Sequence, residues 1–162
     1  LITSSVRSPA LAALLVSKSR LGHDQGVEVR LTNDGVIPAV QLRDEDLITL
    51  LGSLIDNAIE AALRGEEPRW VNVRLGGGVD DLTIAISDSG PGVPPEFVDS
   101  VFAKGWTTKT DDPDGLGGHG FGLALAQAAA HRLGAAIELL PGESGALNQF
   151  RVTLPVTEGR PA

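Results

Sequence analysis

The spacing of apolar positions divides the chain into helical and extended segments. Between residues 44 and 64 the apolar side chains recur every three or four positions, which predicts an amphipathic helix. Leu82, Ile84 and Ile86 alternate with other residues, which predicts a strand with one buried face. By the same criteria we predict helices at 9–22, 44–64, 95–100 and 122–133, and strands at 27–32, 70–76, 82–87, 135–140 and 147–154.

The predicted strands occur in consecutive pairs and do not alternate one by one with helices. This order favours a mixed sheet with helices on one face, an α+β fold built as a two-layer α/β sandwich. The sequence Gly76-Gly-Gly78 with Asp80 and Asp81 predicts a hairpin loop between two of the strands. Gly134, directly after the last helix, predicts a helix C-cap.

Composition excludes several classes of protein. The 162 residues fit one domain with a single core. The net charge of −8 disfavours a nucleic-acid surface, because phosphate backbones are bound by clustered Lys and Arg. The chain has no cysteine, which excludes disulfides and thiolate metal sites, and no apolar run long enough to span a membrane. It also has no methionine and begins as if in mid-protein, so we expect a fragment of a longer protein.

A glycine-rich stretch, Gly115-Leu-Gly-Gly-His-Gly-Phe-Gly122, precedes the last predicted helix. Glycines let the backbone approach an anion closely, and the N-terminus of the following helix adds a favourable dipole. This arrangement is typical of a phosphate-binding loop. A surface loop without a ligand is the alternative interpretation.

Asp88 ends the alternating strand and is followed by Ser-Gly-Pro-Gly92. A carboxylate at a strand end, inside a mostly apolar pocket, is a good acceptor for an exocyclic amine such as that of adenine. Gly90 and Gly92 would keep the pocket wall thin enough for the base to lie against it. The alternative interpretation is an ordinary turn, since all these residue types favour turns.

Asn57 lies deep in the predicted helix 44–64, where asparagine is a mediocre helix former. Its amide oxygen could be a neutral ligand for Mg²⁺, which usually keeps several waters and binds through few protein groups plus substrate phosphates. Solvent exposure or a buried hydrogen bond are the alternative roles.

These three elements, in this order, resemble the ATP-binding (Bergerat) domain of the GHKL superfamily, which includes gyrase-type topoisomerases, repair proteins, heat-shock chaperones and histidine kinases. The Asn57 helix is similar to the family's N box, residues 88–92 to its first glycine box and residues 118–123 to its second. The resemblance implies that ATP and Mg²⁺ are bound, with Asn57 as a catalytic residue and metal ligand. It implies nucleotide contacts at Asp88, Gly90, Gly92, Gly118, His119, Gly120, Phe121, Gly122 and Leu123.

The position one helical turn before Asn57 distinguishes the branches of this superfamily. Members that hydrolyse ATP resemble each other in having a glutamate there, whereas this chain has Ser53, which cannot act unaided as a general base. The chain therefore resembles the histidine kinases. In these the ATP-binding domain supplies positioning and electrostatics, and the phosphoryl acceptor is a histidine of another domain.

Residues 98–109 resemble the F-box and the following lid of citrate/dicarboxylate-type sensor kinases. The resemblance implies that Phe102 anchors a mobile lid on the apolar body and that Thr108 contacts the nucleotide. It also implies a catalytic role for Lys109, or else Lys104, in reaching the ATP phosphates. A solvated loop lysine is the alternative interpretation.

The resemblance also implies a domain organisation. Residues 1–22 would form a linker helix from an upstream dimerisation domain, residues 23–156 the ATP-binding catalytic domain, and residues 157–162 a tail. The expected partners are ATP, the dimerisation and phosphoacceptor domain of the full-length kinase, and a response regulator, with no nucleic acid. We expect a monomeric fragment, a dimeric full-length kinase, and a cytoplasmic domain of a membrane-anchored protein.

Two alternative functions stay open from the sequence. One is an anti-sigma-factor-type serine kinase, which is a GHKL domain without a dimerisation hairpin. The other is a catalytically silent module that binds a nucleotide or serves as a scaffold. The linker helix and the lid sequence favour the sensor kinase over the first alternative. Asn57, Asp88 and the glycine-rich loop argue against the second.

Overall fold

The computed structural model describes residues 9–34, 44–77, 81–94, 96, 119–142, 146 and 148–155. Within these ranges the chain forms three helices and five strands. Their order is α1 (Pro9–Asp24), β1 (Glu28–Asp34), α2 (Asp44–Arg64), β2 (Trp70–Gly77), β3 (Asp81–Asp88), α3 (His119–Leu133), β4 (Ala136–Leu140) and β5 (Gln149–Pro155).

The five strands form one mixed sheet in the order β1-β2-β3-β5-β4. β1 and β2 are parallel, and α2 supplies the crossover that a parallel pair requires. The other neighbours, β2–β3, β3–β5 and β5–β4, are antiparallel. The predicted mixed sheet with helices packed on it is confirmed, and the strand bounds differ from the predicted ones by at most two residues. The helix predicted at 95–100 lies outside the described residues, apart from Glu96.

The hydrophobic core lies between the helices and one face of the sheet. Every second residue of β3 is buried, beginning at Leu82, and the last member of this buried row is Asp88. From α2, Leu50, Leu54 and Ile55 are fully enclosed against the same face. A carboxylate therefore continues a row of otherwise apolar core positions.

α1 packs on α2 and β1 and shares their core. Leu11 and Leu15 of α1 are buried in the same cluster as the α2 side chains. Lys18 Nζ also lies 2.7 Å from Asp56 Oδ1 of α2. α1 is therefore packed onto the sheet and helix layers, and the proposed domain boundary at residue 22 stays a prediction.

α1 ends at Asp24, two residues later than predicted. Gly26 adopts the left-handed conformation with a φ of 85°, and the Val27 N–H donates to the Gly22 carbonyl at 2.8 Å. This is the hydrogen bond that closes a Schellman motif, with Gly26 in the position where glycine is favoured. Gly22 is consequently part of the helix and does not end it.

α3 begins at His119, three residues earlier than predicted, and ends where expected. Its first turn includes Gly120 and Gly122, although glycine disfavours a helix because it loses more backbone entropy than other residues. At the other end Gly134 has a φ of 70°, and the Ala135 N–H donates to the Ala130 carbonyl at 2.8 Å. The predicted glycine C-cap is confirmed. None of the helices in the described ranges has the length and apolarity needed to cross a membrane.

Candidate functional site

The carboxylate of Asp88 is enclosed at the end of β3. Its side chain follows Ile84 and Ile86 on the core face of the strand and is 3% exposed. The Gly90 N–H donates to Asp88 Oδ1 at 2.7 Å. No donor in the described part of the chain bonds to Oδ2, so this oxygen can accept a hydrogen bond from a ligand.

Burial raises the pKa of the Asp88 carboxyl from 3.8 to about 7. Loss of hydration is the main cause, because a low-dielectric environment disfavours the charged form. The Gly90 N–H and the positive charge of Arg64 act in the opposite direction and only partly offset it. A carboxyl perturbed in this way, and short of donors, is characteristic of a binding or catalytic site.

The two glycines after Asp88 are required for different reasons. A Cβ on Gly90 would collide with the carbonyl oxygen of Ala61 in α2. Gly92 has a φ of 83°, a backbone conformation that residues other than glycine rarely adopt. Helix packing at one position and backbone conformation at the other therefore each require glycine, and the predicted role of both glycines as a pocket wall stays a prediction.

Both neighbouring strands hold the turn that follows Asp88. On the β2 side, Ser89 and Trp70 exchange two hydrogen bonds, from the Ser89 N–H to the Trp70 carbonyl at 3.0 Å and from the Trp70 N–H to Ser89 Oγ at 2.9 Å. On the β5 side, Asn148 Nδ2 donates to the carbonyls of Asp88 at 2.8 Å and Gly90 at 3.4 Å. The Asp88 N–H donates to the Asn148 carbonyl at 3.2 Å. The turn is thus fixed from two sides.

α2 brings Asn57 toward the same turn. Asn57, Ala61 and Arg64 follow at helical spacing along one side of α2, and the Ala61 carbonyl contacts Gly90. The Asn57 side chain is half-buried and has no hydrogen-bond partner among the described residues. Its amide oxygen is therefore available on the side of α2 that faces the Asp88 turn.

α3 directs its N-terminus to this region as well. α2 and α3 pack against each other, and Arg132 Nε pairs with Asp46 Oδ1 at 2.7 Å, which joins the end of α3 to the start of α2. The end of α3 thus lies beside the start of α2, so the two helices pack in opposite directions. The first turn of α3 therefore lies toward the C-terminal half of α2, which includes Asn57. The free N–H groups of the first turn of α3 favour an anion there.

The predicted site residues fall into four groups. Asp88, Gly90 and Gly92 lie at the end of β3, where Gly90 contacts Ala61 of α2, one helical turn after Asn57. The side chain of Leu123 is buried in the hydrophobic core and packs α3 onto it. The backbones of His119, Gly120, Phe121 and Gly122 form the first turn of α3. Phe102, Lys104, Thr108, Lys109 and Gly118 lie outside the described residues.

Sequence reasoning missed two residues of this site, Asn148 and Arg64. Asn148 sits directly before a strand, where asparagine is unremarkable, and it reaches the Asp88 turn only through the pairing of β5 with β3. Arg64 could have been found, because it follows Asn57 by two helical turns on the same side of α2. No group of three His, Asp or Glu side chains within the described ranges is arranged to hold a metal ion by itself.

Comparison with known proteins supports the resemblance. Residues 42–158 match the family described as histidine kinase-, DNA gyrase B- and HSP90-like ATPase. The chain is 34% identical over 159 residues to the sensor protein CitS of Halalkalibacterium halodurans, covering 96% of this chain and 28% of CitS. It is also 34% identical over 157 residues to the sensor histidine kinase DcuS of Escherichia coli strain K12, covering 95% of this chain and 27% of DcuS.

The chain thus spans little more than a quarter of the length of these curated relatives. Its fold is similar to that of the mycobacterial sensor histidine kinase MprB, with a TM-score of 0.70 at 20% identity, over 90% of this chain and 95% of that chain. At this identity the structural likeness establishes the fold alone, and the sequence match establishes the relationship. The chain belongs to the histidine kinase-, DNA gyrase B- and HSP90-like ATPase family, the GHKL superfamily.

Proposed function

We propose that this chain is the ATP-binding catalytic domain of a two-component sensor histidine kinase. It binds Mg·ATP and presents the γ-phosphoryl group to a histidine of a dimerisation domain. Membership of the GHKL family and the similarity to CitS and DcuS support this proposal. The observation that carries it is the enclosed Asp88 carboxylate, whose Oδ1 is already bonded to Gly90 and whose Oδ2 has no donor within the described part of the chain.

Asp88 recognises the adenine base. The exocyclic amine of adenine donates to Oδ2, and a charge-assisted hydrogen bond compensates the carboxylate for its lost hydration. Guanine and hypoxanthine present a carbonyl oxygen at the same ring position. Two acceptors then face each other, and the pairing is unfavourable. The site therefore favours ATP and ADP over nucleotides without the amine.

Asn57 is suited to a magnesium ion that arrives with the nucleotide. Its amide oxygen is a hard, neutral ligand, and no cluster of carboxylates in the described ranges competes for the ion. When bound, Mg²⁺ neutralises charge on the transferring phosphates. Asn57 would supply one oxygen ligand to the ion and would help to orient the phosphate chain, and phosphate oxygens and water would complete the coordination.

The phosphates lie against the first turn of α3. The N–H groups of Gly118, Gly120 and Gly122 donate to them. Lys109 adds positive charge from the lid that Phe102 anchors, and Thr108 contacts the nucleotide. Ser53 offers no base to activate water, so ATP is held for transfer. A histidine nitrogen attacks the γ-phosphorus in line, a phosphorus–nitrogen bond forms, and the bond to the β–γ bridging oxygen breaks to release ADP.

The proposal extends to the rest of the signalling system. The phosphohistidine donates its phosphoryl group to a response regulator, and the full-length kinase acts as a dimer. The catalytic domain faces the cytoplasm and the full-length protein is anchored in the membrane.

Calorimetric titration with Mg·ATP and Mg·ADP tests nucleotide binding directly. We expect both to bind, IDP to bind more weakly, and ATP turnover to stay far below the ordinary enzyme rate of about 1 per second. The absence of any binding, or hydrolysis at ordinary rates, would contradict the proposal.

Transfer is tested by fusing the chain to a histidine-bearing dimerisation hairpin and adding labelled ATP. We expect label on histidine, recognised by a phosphorus–nitrogen bond that is labile in acid and stable in alkali. Acid-stable phosphoserine on an added protein would identify the anti-sigma-type serine kinase instead. Nucleotide binding without any transfer would identify a silent module.

A further inference from the structure

Asn148 is buried at the start of β5 and bonds to the turn that carries the adenine-binding carboxylate. It is 6% exposed, and its Nδ2 donates to the carbonyls of Asp88 and Gly90. The Gly90 N–H that bonds to Asp88 Oδ1 belongs to the peptide between these two carbonyls. One side-chain amide therefore fixes the peptide groups on both sides of the one that orients the carboxylate.

The loop between β4 and β5 is shaped around this side chain. Gly142 lies against it, and a Cβ at that position would collide with Asn148 Oδ1. The N–H groups of Gly142 and Asn148 both donate to the Ala146 carbonyl at 2.8 Å, which closes the loop. The position of Asn148 is thus determined by backbone hydrogen bonds, and glycine at 142 leaves room for its amide.

The amide of Asn148 is not the side chain that would make the folded protein most stable. Asn148 Oδ1 is buried and has no hydrogen-bond partner within the described part of the chain. An unsatisfied buried acceptor destabilises the folded state, and an apolar side chain would avoid that cost. The donor side of the amide, which bonds to the Asp88 turn, is the feature that an apolar residue could not supply.

We propose that Asn148 is a positioning residue for adenine recognition, which keeps Asp88 Oδ1 on the Gly90 N–H and Oδ2 directed at the exocyclic amine of the base. This inference rests on the proposed function, in which Asp88 binds adenine. Asn148 acts through Asp88 and does not itself contact the nucleotide. Trp70 and Ser89 secure the turn independently from β2, so the fold survives without the Asn148 donor while the carboxylate loses its fixed direction.

The test uses Asn148→Leu, which keeps the branching of the side chain and removes the donor, and Asn148→Ala, which cannot clash. Gln149→Leu is the matched control, because it removes the same amide from the next residue, whose side chain is on the other face of β5. Each variant is titrated with Mg·ADP and with Mg·IDP, and its melting temperature is recorded. The Asn148 substitutions are repeated in an Asp88→Asn background.

We expect each Asn148 variant to bind ADP about tenfold more weakly, the effect of about one net hydrogen bond. Affinity for IDP should not change, and neither affinity should change in Gln149→Leu. In the Asp88→Asn background the additional loss of ADP affinity should vanish, because Asn148 then has no carboxylate to orient.

Several outcomes would overturn this inference. They are an unchanged affinity for ADP, an equal loss for ADP and IDP, a loss that persists in the Asp88→Asn background, and a failure of both Asn148 variants to fold. Each would make Asn148 a structural residue or a bystander. Wild-type protein that binds ADP no more tightly than IDP would overturn the proposed adenine site itself, before any variant is compared.

Discussion

As the pH rises, replacement of Asp88 by asparagine should change the stability of the nucleotide-free protein increasingly in favour of the variant. Burial places the pKa of this carboxyl near 7 in the folded protein, against an ordinary value of 3.8. Between these two values the native state holds a proton that the unfolded chain has already released. The free energy of unfolding therefore falls as the pH rises through this range, and it becomes constant once the folded-state pKa has been passed.

The magnitude follows from the size of the shift. Each pKa unit corresponds to about 1.36 kcal/mol, so a shift of about three units corresponds to ~4 kcal/mol over the whole range. Between about pH 5 and about pH 8 the contribution is ~2–3 kcal/mol. Asparagine keeps an acceptor for the Gly90 N–H but adds an amide group that needs partners. That cost does not depend on pH, and it cancels when the two pH values are compared.

Urea unfolding of wild-type protein and Asp88→Asn across this range measures the effect. The difference in unfolding free energy should move by ~2–3 kcal/mol in favour of the variant from about pH 5 to about pH 8. All other titrating groups are common to both proteins and largely cancel. A difference that stays constant with pH would refute the reasoning, because the ionised carboxylate would then not be desolvated.

The same variant should lose affinity for ADP. One charge-assisted hydrogen bond is worth about 1.5–3 kcal/mol, so binding should weaken by about 10- to 150-fold, as measured by calorimetry at about pH 8. A more stable protein with a weaker site would show that Asp88 is maintained for binding, at the expense of stability. Unchanged affinity with unchanged stability would reduce Asp88 to a turn residue.

Three further predictions concern packing, an ion pair and the metal. Gly90→Ala should lower the unfolding free energy by ~1–3 kcal/mol, because the added methyl group meets a backbone carbonyl. Gly52→Ala should raise the unfolding free energy by ~0.5–1 kcal/mol, because an added methyl group has ordinary space at that position of α2. Equal effects of the two substitutions in urea unfolding would contradict this packing argument. Arg132→Gln removes the cation paired with a buried carboxylate and should cost ~1–3 kcal/mol, whereas Arg151→Gln breaks an exposed pair and should cost less than ~1 kcal/mol. Asn57→Ala should largely remove the gain in ATP affinity that Mg²⁺ provides, without a change in melting temperature. Titrations of ATP with and without Mg²⁺ measure this gain, and an equal loss of affinity in both titrations would show a role that does not depend on the metal.

The sequence predicted those features of the fold that depend on local pattern. The long apolar stripe between residues 44 and 64 gave α2 its observed bounds, and alternation around Ile84 located β3 and the carboxylate that ends it. The helix ends were less accurate. Gly22 and Gly26 are both reasonable caps by composition, and only the hydrogen bond from Val27 to Gly22 distinguishes them.

Features that depend on distant segments could not be predicted. The insertion of β5 between β3 and β4 in the sheet has no local signature, and Asn148 reaches Asp88 only through that arrangement. The requirement for glycine at position 90 likewise arises from Ala61 of another element. The family resemblance supplied the candidate ligand-binding residues, whose roles stay predictions, whereas the residues that hold the Asp88 turn in place follow only from the tertiary structure.

The bond between Asn148 and Asp88 also bears on when the site is formed during folding. The two residues are 60 positions apart in the chain, so the entropy of closing a long loop opposes their contact. We expect β1, β2, β3 and α2 to associate without β5, and stopped-flow refolding in the presence of ADP can time binding against collapse. In the proposed role of Asn148, the Asp88 carboxylate acquires its final direction only when β5 inserts beside β3. We therefore expect that, during synthesis, a nascent chain captures adenine nucleotides at full affinity only after β5 has left the ribosome, so that a nucleotide is not an early template for folding.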